Sequence, residues 1–149
     1  MALGVHLHGI MPNEAQPTMF IAAGSYLHGD EAVSHRVLSL VGSPDGVAMY
    51  DVLRLSGELA PRIASAEEVV FIDVEERLGD PWMEPLDRRT VAGEIVDRAR
   101  REHQFHGRAY HCHVPGLEFG DRAIGLTPYA ESRAQQAAGL LRKFLAPTA

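Results

Sequence analysis

The chain has 149 residues, 46% hydrophobic and 23% charged, with a formal net charge of −6. That length suits one domain with a proper core, and the acidic balance excludes a general nucleic-acid binder, which needs a basic face. Cys112 is the one cysteine, so no intramolecular disulfide can form and a reducing cytoplasm is the simple expectation; no apolar run approaches the roughly 18–20 residues of a membrane span, and no secretion signal is expected.

Residues 1–17 hold Gly4, Gly9, Pro12 and Pro17 and read as a loose leader, with room for one short strand at Val5–His8. Residues 18–149 read as a single α/β domain. Its first strand is Thr18–Ala23, a continuous apolar run of the kind buried on both faces of a parallel sheet. Gly24–Gly29 forms a turn, and a helix runs from about Glu31 to Val41, with Val33, Val37, Leu40 and Val41 on one stripe. Asp30 reads as its N-cap, since Asp supplies a good side-chain acceptor. Val47–Val52 is a second strand ending near Asp51. Leu55–Ala64 is a weakly signalled helix, with Pro61 uncomfortable inside it. Glu68–Val74 is the third strand, built on Val69-Val70-Phe71-Ile72.

Trp82–Leu86 reads as an edge strand, because Pro85 excludes a central ladder position. Thr90–Arg101 is an amphipathic helix, Arg108–Val114 a further strand, and Pro115–Gly125 a loop. Thr127-Pro128 opens the last helix, which runs to about Phe144. Strands alternating with helices predict a three-layer α/β/α sandwich around a central, mostly parallel sheet.

Two constellations carry chemistry. Glu31 follows the first strand and Asp73 ends the third, so parallel pairing brings both carboxylates to one rim. Such a pair suits a divalent cation or acid–base work, although helix-dipole and strand-end roles account for the same residues. His103, His106, His111 and His113 form a late histidine group. His111 and His113 alternate onto one strand face and can converge on one metal, while isolated surface or hydrogen-bonded histidines are the ordinary alternative. Cys112 points to the opposite face. The Gly24–Gly29 turn has neither the glycine spacing of a dinucleotide fingerprint nor the lysine of a phosphate loop.

The segment FIAAGSYLHGDEAVSHRVLSL resembles the opening of the hydrogenase maturation endopeptidases, EEVVFIDV is similar to their strand ending in aspartate, and VPGLEFGDRAIGLTPYAESRAQQAAGLL resembles their closing segment. The pieces stand in the family's order over roughly Met19 to Leu145. The resemblance implies removal of a C-terminal peptide from the large-subunit precursor of a nickel–iron hydrogenase, with that precursor as partner. It further implies metal binding by Glu31, Asp73 and a histidine, the nickel arriving with the substrate. Three departures stand out. Ser25 replaces an asparagine, Asp51-Val52-Leu53-Arg54 replaces an Asp-Gly-Gly-Thr-like motif, and Arg88 falls near the expected histidine. Arginine cannot ligate a cation, so Asp87 becomes the candidate third ligand, with His28 or the late histidine group as substitutes. The departures leave two further readings: a non-catalytic relative that binds a hydrogenase subunit or other partner, and an unrelated α/β metallohydrolase built on the late histidines.

Overall fold

The computed structural model describes residues 17–25, 28–120 and 125–146. The leader, with its expected strand at Val5–His8, lies outside them. Among the described residues five strands, β1 (Thr18–Ala23), β2 (Val47–Val52), β3 (Glu68–Glu76), β4 (Trp82–Pro85) and β5 (Arg108–Gly116), form one sheet in the order β2-β1-β3-β5-β4. All pairings are parallel except β4–β5, which puts β4 antiparallel on the edge. Pro85 is tolerated there because an edge position leaves its missing N–H without consequence.

Among the described residues four α-helices cover the sheet: α1 (Val33–Val41), α2 (Ala60–Ile63), α3 (Val91–His103) and α4 (Pro128–Leu145). The helices divide by the alternation of the strands. Met19, Ile21, Val69 and Phe71 face Leu59, Ile63, Ala92, Ile95 and Ala99, so α2 and α3 lie on one side. Phe20, Ala22, Val70, Ile72 and Cys112 face Val33, Val37, Ala130, Ala134 and Leu141, so α1 and α4 lie on the other. The expected three-layer sandwich is the observed one. Among the described residues, no helix is long and apolar enough to cross a membrane.

Several boundaries differ from the sequence expectation. The weak helix after β2 is a 3-10 turn, Gly57–Leu59, followed by the single turn α2. Pro61 therefore sits in a first turn, where no N–H is required of it. β3 runs two residues further than its apolar run, because Glu75 and Glu76 pair with Pro115 and Gly116 of an equally extended β5. β4 ends at Pro85, but Leu86 N still donates to Ala109 O. The first helix begins as a 3-10 turn, Asp30–Ala32, whose N-cap position is Gly29 and which has no side-chain cap bond. Asp30 is thus not the expected cap; its carboxylate is used elsewhere, as described next.

Candidate functional site

The carboxyl ends of β1, β2 and β3 open on one cleft of about 510 Å³. Its lining brings together Ala23 and Gly24 after β1, Leu53, Arg54 and Leu55 after β2, Asp73 and Val74 of β3, Val91 of α3, Phe119 and Glu31. Outside the carboxyl ends of parallel strands is where an open α/β sheet takes its ligands. Glu31 and Asp73, linked in the sequence only by the inferred neighbouring of β1 and β3, therefore share this cleft. Asp87 is not part of the lining. Its oxygens accept from Arg89 Nε (3.1 Å), Arg89 Nη2 (3.0 Å) and the Arg89 backbone N–H (2.9 Å), and these bonds hold its pKa below the ordinary carboxylate value.

The turn that presents Glu31 is built from backbone freedom and from one buried carboxylate. Gly24 has φ +143, and a Cβ there would meet Glu31 O at 2.5 Å, so only glycine lets the turn close on the helix start. Asp30, fully buried, accepts from four donors: Leu117 N (2.7 Å), Glu118 N (3.0 Å), Thr127 N (2.8 Å) and Thr127 Oγ1 (2.9 Å). Burial alone would raise its pKa, but these bonds outweigh burial and lower it. Thr127 Oγ1 in turn accepts from Ala130 N and caps α4 as expected. Glu31 itself accepts from Gly120 N (3.2 Å), and its Oε2 lies 3.6 Å from His28 Nδ1.

The wall behind Asp73 is made by β5. His111 Nε2 stands 3.7 Å from Asp73 Oδ2. The His111 ring is buried, edge-on to Phe71, with its centroid 4.8 Å from that of His113. Burial lowers the pKa of His111, which favours the neutral imidazole, and Asp73 pulls the other way. Asp73 keeps 51% of its side-chain surface in solvent, which moderates the effect, but the surrounding wall still raises its carboxyl above the ordinary value, opposed by His111 and His113. His113 is held differently. Its Nδ1 is 2.9 Å from Glu75 Oε1, its Nε2 is in ion-pair contact with Glu84 Oε2 at 2.6 Å, and Trp82 stacks on its ring at 4.3 Å. His103 and His106 border other hollows of the surface, so the late histidine group divides.

Two residues of this region were missed in the sequence. His35, buried on α1, donates from Nε2 to Gly24 O (2.8 Å) and places Nδ1 2.9 Å from Asp51 Oδ1, tying the end of β2 to the turn after β1. Its signal was a histidine set between the apolar Val33 and Val37. Arg54 adds a guanidinium to the cleft, visible beforehand only as a break in a motif. The donor chemistry of Glu31, Asp73 and His111 is that of a divalent-cation site. Among the described residues, however, no three His, Cys, Asp or Glu side chains are gathered closely enough to hold one cation.

No family model and no curated protein matches this sequence. The fold, in contrast, has clear likenesses among solved structures. It is similar to the hydrogenase maturating endopeptidase HybD from E. coli, with a TM-score of 0.72 at 18% identity over 86% of this chain and 91% of that one. It is also similar to the hydrogenase 2 maturation peptidase of a Thaumarchaeota archaeon (TM-score 0.65, 16% identity, 87% and 97% covered). The [NiFe] hydrogenase maturation protease HybD of Thermococcus kodakarensis gives a TM-score of 0.62 at 16% identity, with 87% and 99% covered. At these identities the likeness establishes the fold, which is that of the hydrogenase maturation endopeptidases.

Proposed function

We propose that this chain, folded like the hydrogenase maturation endopeptidases, is a divergent working member: it removes a C-terminal peptide from the nickel-loaded precursor of a hydrogenase large subunit. The observation that carries the reading is that Glu31 and Asp73 line one cleft at the carboxyl ends of β1 and β3. Nickel belongs to the substrate in this reading and supplies a Lewis acid for hydrolysis. The chain's part is to present two carboxylates to the incoming metal and to seat the peptide against Leu53, Leu55, Val91 and Phe119, the apolar part of the lining. Asp87 enters as a third donor only if Arg89 releases it. A nickel-loaded precursor incubated with the protein loses the mass of its C-terminal peptide; full-length precursor persisting where a known processing enzyme cuts would refute the reading.

A second reading, a non-catalytic relative that binds a hydrogenase subunit or another protein, is favoured by Arg54. A fixed positive charge in the cleft opposes a cation there. Tight precursor binding without mass loss, unchanged in Glu31→Gln, selects this reading.

A further inference from the structure

The β2 side of the cleft is made by the chain as it leaves that strand: Leu53, Arg54 and Leu55 all belong to the lining. Leu53 keeps 61% of its surface in solvent, and Val91, in the same lining, keeps 59%. Exposed aliphatic side chains gathered in one concave lining mark a binding groove, where scattered ones would mean nothing. Arg54 stands between the two leucines. Arginines elsewhere on the surface are held by carboxylates, as Arg36 is by Glu131 at 2.9 Å and Arg133 by Asp80 at 2.6 Å. Among the described residues no carboxylate is in ion-pair contact with Arg54, although Glu31 and Asp73 line the same cleft. Glu31 is engaged by Gly120 N and His28. Asp73 is kept away by the strand order. β1 lies between β2 and β3, so the ends of those two strands stand two strand spacings, roughly 10 Å, apart. That is about a Debye length at 0.1 M salt, so an anion placed at Arg54 meets little repulsion from Asp73.

From this arrangement we infer that Arg54 is an anion-reading subsite: it pairs with the side-chain carboxylate of an aspartate or glutamate in an extended peptide, whose neighbouring apolar side chains rest on Leu53, Leu55 and Val91. The inference rests on the reading of the cleft as the place where a peptide is seated, and it holds whether or not that peptide is cut. A guanidinium takes a carboxylate through two parallel N–H donors, which fixes register as well as charge. The carboxylate is a side chain's and not a chain end's. Capture of a chain end calls for a nest of backbone N–H groups, whereas Leu53 and Arg54 are exposed and leave the groove open for a peptide to run on past them. The departure of Asp51-Val52-Leu53-Arg54 from an Asp-Gly-Gly-Thr-like motif then has a use, since glycine, glycine and threonine would supply neither the charge nor the apolar surface.

Two short end-blocked peptides of leucine and alanine test it, one with a central glutamate and one with glutamine in its place. Each is titrated into the full native chain and followed through the backbone amide signals of a proton–nitrogen spectrum. The glutamate peptide is expected to bind at least ~10-fold more tightly, with the shifts concentrated at Leu53, Leu55 and Val91, and the preference is expected to shrink at high salt. In Arg54→Gln, with the far-UV dichroism retained, the two peptides are expected to bind within ~2-fold of each other. If that variant does not fold, the preference of the native chain and its loss at high salt decide. Equal affinity for the two peptides, a preference that survives in Arg54→Gln, or no binding of either at millimolar concentration overturns the inference. So does tighter binding of a third peptide that has a free C-terminus and no acidic side chain, which would make Arg54 a clamp for a chain end. Cleavage of a nickel-loaded precursor is scored separately: uncut precursor beside a clear glutamate preference refutes only the functional reading, and cut precursor without that preference refutes only the subsite.

Discussion

Asp30 and Glu31 are neighbours in the chain and opposites in the fold. Around Asp30 the protein supplies four donors of its own, one to Oδ1 and three to Oδ2, drawn from residues 87 to 97 positions later. Around Glu31 and Asp73 the described residues supply less: the Gly120 backbone N–H at 3.2 Å for Glu31, the Val74 backbone N–H for Asp73, and imidazoles at 3.6 and 3.7 Å. A saturated carboxylate is a structural fastener, and an unsaturated pair in a cleft has valence left for something else. One step of sequence separates the two roles: Asp30 is buried against Leu117, Glu118 and Thr127, whereas Glu31 lines the cleft with Gly120 N as its backbone donor.

The comparison can be broken most directly at Asp30. Asp30→Ala removes a buried carboxylate that accepts from four donors and should cost about 2–3 kcal/mol in chemical denaturation, whereas Glu31→Gln should stay within about 0.5 kcal/mol of the native chain. Equal losses in the two variants would erase the distinction. Acid offers a second approach. Because the folded pKa of Asp30 is lowered from 3.8, its contribution is complete above about that value and is lost as pH falls through the lower folded pKa. Stability followed by thermal melting should therefore fall steeply below pH ~4, and the slope should flatten in Asp30→Asn. Thr127→Ala, which removes one of Asp30's donors and the cap of α4 together, should cost about 1–2 kcal/mol.

On the cleft side the effects move to function. Glu31→Gln and Asp73→Asn should each lower precursor cleavage at least ~10- to 100-fold while the melting temperature stays near that of the native chain. The smallest effect is expected from Arg54→Ala. Removing a solvated positive charge should tighten cobalt binding roughly two- to fivefold, measured by titration at low salt, and the gain should shrink at high salt. Weaker binding in that variant would show that Arg54 assists the cleft.

What could be read in the sequence follows the range of the interactions. β1, β2 and the core of β3 declare themselves because residues buried on both faces must be apolar in unbroken runs, and Thr127-Pro128 declares α4 because a cap is a local device. Glu75 and Glu76 are strand residues only because β5 happens to run alongside them, which composition cannot express. Asp30 is the sharper case. A turn-position aspartate before a helix has the local signature of a cap, yet its partners lie in another loop altogether. Glu31 and Asp73 were legible as a pair because strand-end positions and parallel pairing follow from pattern. The approach of His111 to Asp73 depends on the register of β5 against β3, in which Phe71 meets His111, and register is invisible until the strands are aligned.

Between His111 and His113 lies Cys112, fully buried on the opposite face of β5 among Ile72, Val114 and Ala134. Burial pushes its thiol up to about 12, so it carries almost no thiolate at neutral pH and is closed to reagents while the sheet is shut. A single thiol of this kind is a clock for the molecule: its labelling rate counts the openings of the strand that backs the cleft. Any ligand that binds only the closed form slows that clock by the factor 1 + [L]/Kd. Occupancy on one side of β5 can thus be timed from the other, without a chromophore, a tag or a turnover assay.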